Sequence, residues 1–317
     1  MKLNTKLLAS FVLWGVSVNA WGPLGHSTVA AVALQYLKPE TLERTRTILC
    51  HEGLAEETLV TVANWADSYK RTREGSYSYD HHFIDAEDEP LAGNCHVDMK
   101  RDCSPKGCIV TAIANYTRRA SDETLNIAQN AEALRFLTHF FGDLHQPLHA
   151  EGIKKAGNHI PVLFNGKQSN LHRAWDVDKI QALFGDYTIK KAHTWAKIIS
   201  REVDRKGGIY HEKAKRWLDC QDLAHPAACA LKWAKESNRL NCEFVFVKDP
   251  TGKELNDGFY PDWMLFIEQQ IAQGGIRLAA WLNLMFAGST GFDTMAAMTV
   301  MEDGASIRDN HVRDDLR

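Results

Sequence analysis

Histidine and aspartate recur in this sequence at spacings suited to holding a metal ion. His139 and Asp143 stand four residues apart in Leu137-Thr-His-Phe-Phe-Gly-Asp143, and His172 and Asp176 repeat the spacing in Leu171-His-Arg-Ala-Trp-Asp176. On a helix, residues four apart project from one face and can share one ion. His149 follows closely, in Gly142-Asp-Leu-His-Gln-Pro-Leu-His149. Neutral imidazole and carboxylate are good zinc ligands, and three protein ligands with one open position is a catalytic arrangement. A single pair of this kind is usually a surface hydrogen bond. His139 and Asp143, however, fall in an otherwise apolar stretch that should be buried, and a buried ionised carboxylate is costly without a partner. Several such groups together point to a shared cation.

A second source of ligands lies at Trp21. Lys2 and Lys6, the apolar run Leu7–Val16 and then Val18-Asn-Ala20 have the order of a secretory leader, residues 1–20, cut before Trp21. That run is far short of the roughly 20 residues that span a bilayer. No later stretch is long and apolar enough either, so the expected product is soluble, off the membrane and secreted, whether extracellular or periplasmic. Cleavage would expose Trp21-Gly-Pro-Leu-Gly-His26. A free α-amine, with a pKa near ~8, is easily deprotonated by a cation. The amine and carbonyl of one residue can chelate an ion, and His26 can close the site. The plainer alternative is a packed tryptophan and a histidine at a helix start.

The elements that must position these groups read as helices nearly throughout. Apolar residues recur at three- and four-residue intervals over 26–37, 39–50, 56–70, 110–119, 128–144, 193–205, 212–219, 227–239 and 262–285. Ile160–Phe164, followed by Asn165-Gly166, reads as one arm of a small hairpin. The expected fold is all-α, with at most that hairpin. No linker or repeat interrupts residues 21–290, which read as one domain. Residues 291–317 read as a C-terminal tail. Seven cysteines in an exported chain imply disulfides. Cys103 and Cys108 close a short loop, Cys220 and Cys229 are similarly near, and Cys95 and Cys242 can tie distant segments, leaving Cys50 over. Spacing alone does not fix these pairs.

The formal net charge is −3. A protein that grips nucleic acid through phosphate contacts usually shows a basic face. This composition offers none, so any phosphate chemistry would need a local positive source, which bound metal would supply.

Taken in order, these motifs resemble those of the class I single-strand-specific zinc nucleases and 3′-nucleotidases, the nuclease S-one/P-one type. The marks are Trp21-Gly-Pro-Leu-Gly-His26, Asn64-Trp-Ala-Asp67-Ser-Tyr-Lys70, His82-Phe-Ile-Asp85, Phe141-Gly-Asp-Leu-His-Gln-Pro-Leu-His149, Gly157-Asn158 and Asn170-Leu-His-Arg-Ala-Trp-Asp176. The resemblance extends from Trp21 to about Leu284. The resemblance implies three zinc ions in a mostly helical fold. Asp67, His82, His139 and Asp143 match the ligands of the first ion, and His149, His172 and Asp176 those of the second. Trp21 and His26 match those of the third, with Asp143 bridging to the first. Asp67 also matches the carboxylate that orients the attacking water. Lys70 and Asn158 match residues near the scissile phosphate, and Phe83 and Asp85 a pocket where a base stacks and is hydrogen-bonded. The implied substrates are single-stranded DNA and RNA, cut to 5′-phosphorylated products, and 3′-nucleotides. A monomer with no stable protein partner is expected.

The chain departs from that pattern at Ala150, where Asp is common, and at Ala156-Gly-Asn158, where Gly-Gly-Asn is common. Both changes touch the substrate side. His81 competes with His82 by position, and His145 with His149, His145 being expected near the ligands or exposed. Trinuclear-zinc phospholipases C are similar in their N-terminal tryptophan, but their last ligand pair resembles His-x-x-x-Glu, where this chain has His172-x-x-x-Asp176. A non-catalytic zinc protein would normally show a closed, cysteine-rich site.

Overall fold

Proline opens several helices at the first turn, where its fixed φ is helical already and its missing N–H costs nothing. In the computed structural model, which describes residues 21–51 and 58–292, α1 (Pro23–Gln35) and α2 (Pro39–Leu49) both start this way. The leader 1–20, the tail from 293 onward and the first residues of the helix expected over 56–70 lie outside the described residues. That expected helix is in fact two, α3 (Leu59–Val62) and α4 (Trp65–Tyr69). The break has a chemical reason. The Ala63 carbonyl accepts a hydrogen bond from the His139 ring at 2.7 Å.

A 3-10 helix over Ser76–His82 leads to α5 (Met99–Asp102), α6 (Ile109–Ala120) and the 17-residue α7 (Ile127–Asp143). Asn126 and Gln129 fix the start of α7 reciprocally: each side-chain oxygen accepts the other's backbone N–H. A 3-10 turn, Pro147–Ala150, is followed by the hairpin β1 (Pro161–Phe164) and β2 (Lys167–Asn170). The strands are antiparallel, with Pro161 opposite Asn170 and Phe164 opposite Lys167. Asn165 (φ 51°) and Gly166 (φ 71°) make the turn, both left-handed as a two-residue I′ hairpin loop demands.

Next, α8 (Leu171–Arg173) passes through a π-helical turn, Ala174–Asp178, into α9 (Lys179–Phe184). The remaining helices are α10 (Ile189–Asp204), α11 (His211–Trp217), α12 (Pro226–Leu240), a π turn over Asn241–Val245, and the 25-residue α13 (Trp263–Ala287). Periodicity located most of these to within a turn. It missed α5, α8 and α9, which are too short to show a repeat.

The core forms around α1. Every residue from Leu24 to Ala33 is buried, so over that stretch the helix has no solvent face. It packs against α13 and α10, with α3 and α7 completing the surround. Gly275 of α13 permits the close approach, because a β-carbon there would stand 2.6 Å from Val32 Cβ. Disulfides join Cys95 to Cys242, Cys103 to Cys108 and Cys220 to Cys229, and Cys50 belongs to none of them. Among the described residues no helix is long and apolar enough to cross a membrane.

Candidate metal centre

The last turn of α7 carries His139 and Asp143 on one face, both fully buried. Helix α1 lays His26 against them. The His26 and His139 rings stack at 3.9 Å between centroids, 14° from parallel. Gly142 makes room, since a β-carbon there would lie 2.5 Å from His26 Nδ1. Gly142→Ala must therefore displace His26. It is expected to cost about 1–3 kcal/mol of stability, as overpacking does, and to release one metal ion. Thermal denaturation with metal analysis checks this; unchanged values in both would contradict the packing argument.

Two further elements close the first group. Helix α4 brings Asp67, and the 3-10 helix ends on His82. Asp143 Oδ2 lies 2.9 Å from His82 Nδ1 and 3.3 Å from His139 Nε2. Asp67 Oδ1 lies 3.6 Å from His139 Nε2 and 3.9 Å from His82 Nδ1. The other oxygen of Asp143, Oδ1, lies 3.3 Å from His26 Nε2 and 3.9 Å from His149 Nδ1. One carboxylate thus touches histidines from four separate elements.

The second group is His149, from the 3-10 turn after α7, with His172 of α8 and Asp176 of the π turn. His172 Nε2 and Asp176 Oδ2 are 2.9 Å apart. Gln146 donates from Nε2 to Asp176 Oδ1 at 2.6 Å and orients it. A π turn widens the helix locally and is common at functional sites. The segment before α1 is pinned here, for the Gly22 N–H donates to the Asp176 carbonyl at 2.7 Å. Trp21 is wholly buried beside it.

The donor set fits metal. His139, His149 and His172 each donate from Nδ1 to a backbone carbonyl, of Ala63, His82 and Ala156 respectively, all at 2.7 Å. A carbonyl only accepts, so each Nδ1 carries the proton and each Nε2 keeps its lone pair. The Nε2 atoms of His26, His82, His139, His149 and His172 are all buried without a hydrogen bond. So is Asp143 Oδ1. Unsatisfied buried polar atoms are rare and expensive. With neighbouring carboxylates, these histidines gather into three sets: His26, Asp67 and His139; His82 (through Nδ1), His139 and Asp143; and His149, His172 and Asp176. A cation is the partner they share chemically.

Charge states suit the same purpose. Burial, with Lys70 nearby, holds His82 down to about 3, and burial likewise holds His149 at about 3, so both rings are neutral, the state in which imidazole can bind a metal. Burial opposes ionisation of Asp67, but His139, Lys70 and His82 outweigh it and bring the carboxyl to about 2. The Lys70 ammonium stands 2.6 Å from Asp67 Oδ1. His139 differs: burial opposes charge there too, but Asp143 and Asp67 raise it, so in the absence of a cation these two carboxylates draw a proton to the ring, and a metal ion in its place would satisfy them equally.

A cavity of about 630 Å³ opens beside the second group, with His149 and His172 in its wall. Phe83, Asp85 and Asn158 line it, as the motifs lead one to expect, together with Tyr79, Lys155 and His159, which sequence reasoning passed over. Gln146 was also missed, although it sits inside the Gln-Pro-Leu-His motif. Burial, with Asp80, Asp102 and Glu87 nearby, raises Asp85 to about 6. The far wall rests on an unusual turn. Lys154, Lys155, Ala156 and Gly157 have φ of 47°, 54°, 52° and 77°. Three consecutive non-glycine left-handed residues cost about 1–2 kcal/mol each, and such strain concentrates at ligand sites.

His81 and His145 are placed elsewhere. His81 bonds the Lys106 carbonyl. His145 is fully buried rather than exposed, held between the Phe141 carbonyl and the Arg277 guanidinium.

Known proteins share this arrangement of sequence. The profile of the family described as S1/P1 Nuclease matches residues 21–287. Nuclease P1 of Penicillium citrinum is 42% identical over 266 residues, 83% of this chain and 97% of that protein. Nuclease S1 of Aspergillus oryzae is 37% identical over 268 residues, 84% of this chain and 91% of its own length. Endonuclease 3 of Arabidopsis thaliana is 31% identical over 273 residues, 84% and 89%.

Proposed function

This chain belongs to the S1/P1 nuclease family, and from that premise we propose a secreted, monomeric zinc enzyme that cuts single-stranded DNA and RNA to 5′-phosphorylated products and dephosphorylates 3′-nucleotides. The observation that carries the proposal is the convergence of four unsatisfied buried Nε2 atoms, of His26, His139, His149 and His172, with His82 Nδ1, on Asp67, Asp143 and Asp176 beside a nucleotide-sized cavity. Three zinc ions would be held by Asp67, His82, His139 and Asp143; by His149, His172 and Asp176; and by His26 with the amine and carbonyl of Trp21, Asp143 bridging. Zinc bound there supplies positive charge toward phosphate oxygens and lowers the pKa of water.

The chain's own groups do the rest. Asp67, kept ionised by His139 and Lys70, orients the attacking water and accepts its proton. Lys70 places a point charge for a phosphate oxygen. Asn158 positions the same phosphate. Phe83 offers a π-face that any base can stack on, and Asp85 hydrogen-bonds the base edge. A base held by stacking must leave its neighbours, which favours single strands over duplex.

Chelation of the leader-free protein is expected to abolish cleavage of single-stranded DNA, with recovery on adding zinc. Full activity after chelation would refute the metal mechanism, and cleavage of phosphatidylcholine without nuclease activity would turn the reading to a phospholipase C. A pH effect follows from Asp85. Above about 6 it is an acceptor only, and below about 6 it carries a proton to donate. The ratio of kcat/KM between two 3′-mononucleotides of different base should shift across that pH, and Asp85→Asn should flatten the shift. An unaltered profile in the variant would remove Asp85 from base recognition.

A further inference from the structure

We propose that Lys155 and His159 form a second phosphate-binding point in the same cavity, taking the phosphate on the 5′ side of the nucleoside whose 3′ phosphate is hydrolysed. The inference rests on the nuclease reading above. Its substrate class is a nucleotide with phosphate on both sides, as in the interior of a strand or a nucleoside 3′,5′-bisphosphate.

The cavity walls differ in character. One carries Tyr79, Asp80, Phe83, Asp85 and Asp102. Two of its carboxylates are already engaged: Ser104 Oγ donates to Asp80, and the Arg101 guanidinium with the Glu87 and Asp98 amides saturates Asp102. That wall suits the aromatic face and donor edge of a base, and it repels phosphate. His149 and His172 mark where the reacting phosphate goes. With Ser104 spent on Asp80 and Asn158 assigned to the reacting phosphate, the side chains left in the lining that can offer positive charge or an N–H are Lys155 and His159. Both residues are exposed, and among the described residues neither side chain takes part in an ion pair or hydrogen bond.

The left-handed turn makes this wall more than a loose surface. The His159 N–H donates to the Lys154 carbonyl at 3.0 Å and the Gly157 N–H to the Ile153 carbonyl at 2.9 Å. The His172 ring holds the Ala156 carbonyl. Lys155 and His159 are thereby carried on backbone locked to a residue of the metal centre, the preorganisation that lets a donor pair contribute to binding. In a chain of net charge −3, a phosphate not held by metal has to find its cation locally.

The test compares kcat/KM for a nucleoside 3′,5′-bisphosphate with that for the matching 3′-monophosphate, on the zinc-loaded protein. The native enzyme should favour the bisphosphate, and Lys155→Gln with His159→Gln should lower that ratio about tenfold, the scale of removing charge-assisted bonds. Lys155→Arg should keep the ratio. The salt dependence of single-strand binding should weaken in the double variant, by about 0.7 in log–log slope for each phosphate the protein no longer neutralises. A ratio that stays constant in the double variant overturns the proposal, as does a native enzyme with no preference. A native enzyme that hydrolyses neither compound overturns the nuclease reading itself.

Discussion

Asp143→Asn is expected to reduce single-strand cleavage by roughly 10³-fold or more, at least the effect of removing one fixed complement to developing charge at a reacting centre. Both oxygens of Asp143 are used. Oδ2 faces His82 and His139, and Oδ1 faces His26 and His149. An amide turns one of those acceptors into a donor aimed at imidazole lone pairs. It also removes the buried negative charge that the surrounding histidines, and any cation they hold, require. The loss should therefore reach metal content as well as rate. Elemental analysis should find the variant short of more than one ion, because a bridging ligand serves two. A variant that kept its full metal complement and turned over within tenfold of the parent would show that Asp143 does not bridge.

The second large effect concerns the atom before Trp21. A chain with even one extra residue there should bind its least-held metal about 10–100-fold more weakly, a loss typical of damage to a metal site's support, and should lose activity in step. An α-amine becomes an amide on extension, and the amide lone pair is committed to resonance with its carbonyl. Space compounds the chemistry: Trp21 is wholly buried, and Gly22 is tied to the Asp176 carbonyl. The clean comparison is one preparation measured before and after proteolytic removal of an N-terminal extension. Equal metal content and equal rates would show that the α-amine is no ligand.

How far the sequence reaches depends on the distance between cause and residue. His139 with Asp143 and His172 with Asp176 were legible from spacing, because a helix converts an interval of four into a shared face. The all-α class and most helix positions were legible for the same reason, and the hairpin through Asn165-Gly166. His26 was reached from the chelating N-terminus, whereas Asp67 and His82 were legible only through resemblance, since no local rule brings residues on α4 and a 3-10 helix to a carboxylate of α7. The break at Ala63 was hidden because its cause, the His139 ring, lies far along the chain. The left-handed turn was hidden because Lys154, Lys155 and Ala156 are residues that seldom adopt it. With the turn unseen, the cavity wall that it builds was unseen too.

The burial of α1 has a consequence for how the molecule comes into being. Its main packing partner is α13, at the other end of the described chain. Contacts so distant in sequence form late, since a large loop must close first. During synthesis the helix bearing His26 can meet α3, α7 and α10 in turn, but its cover is completed only when α13 has been made. The element that carries one wall of the candidate centre is therefore sealed last, by a helix that brings none of the candidate ligands itself.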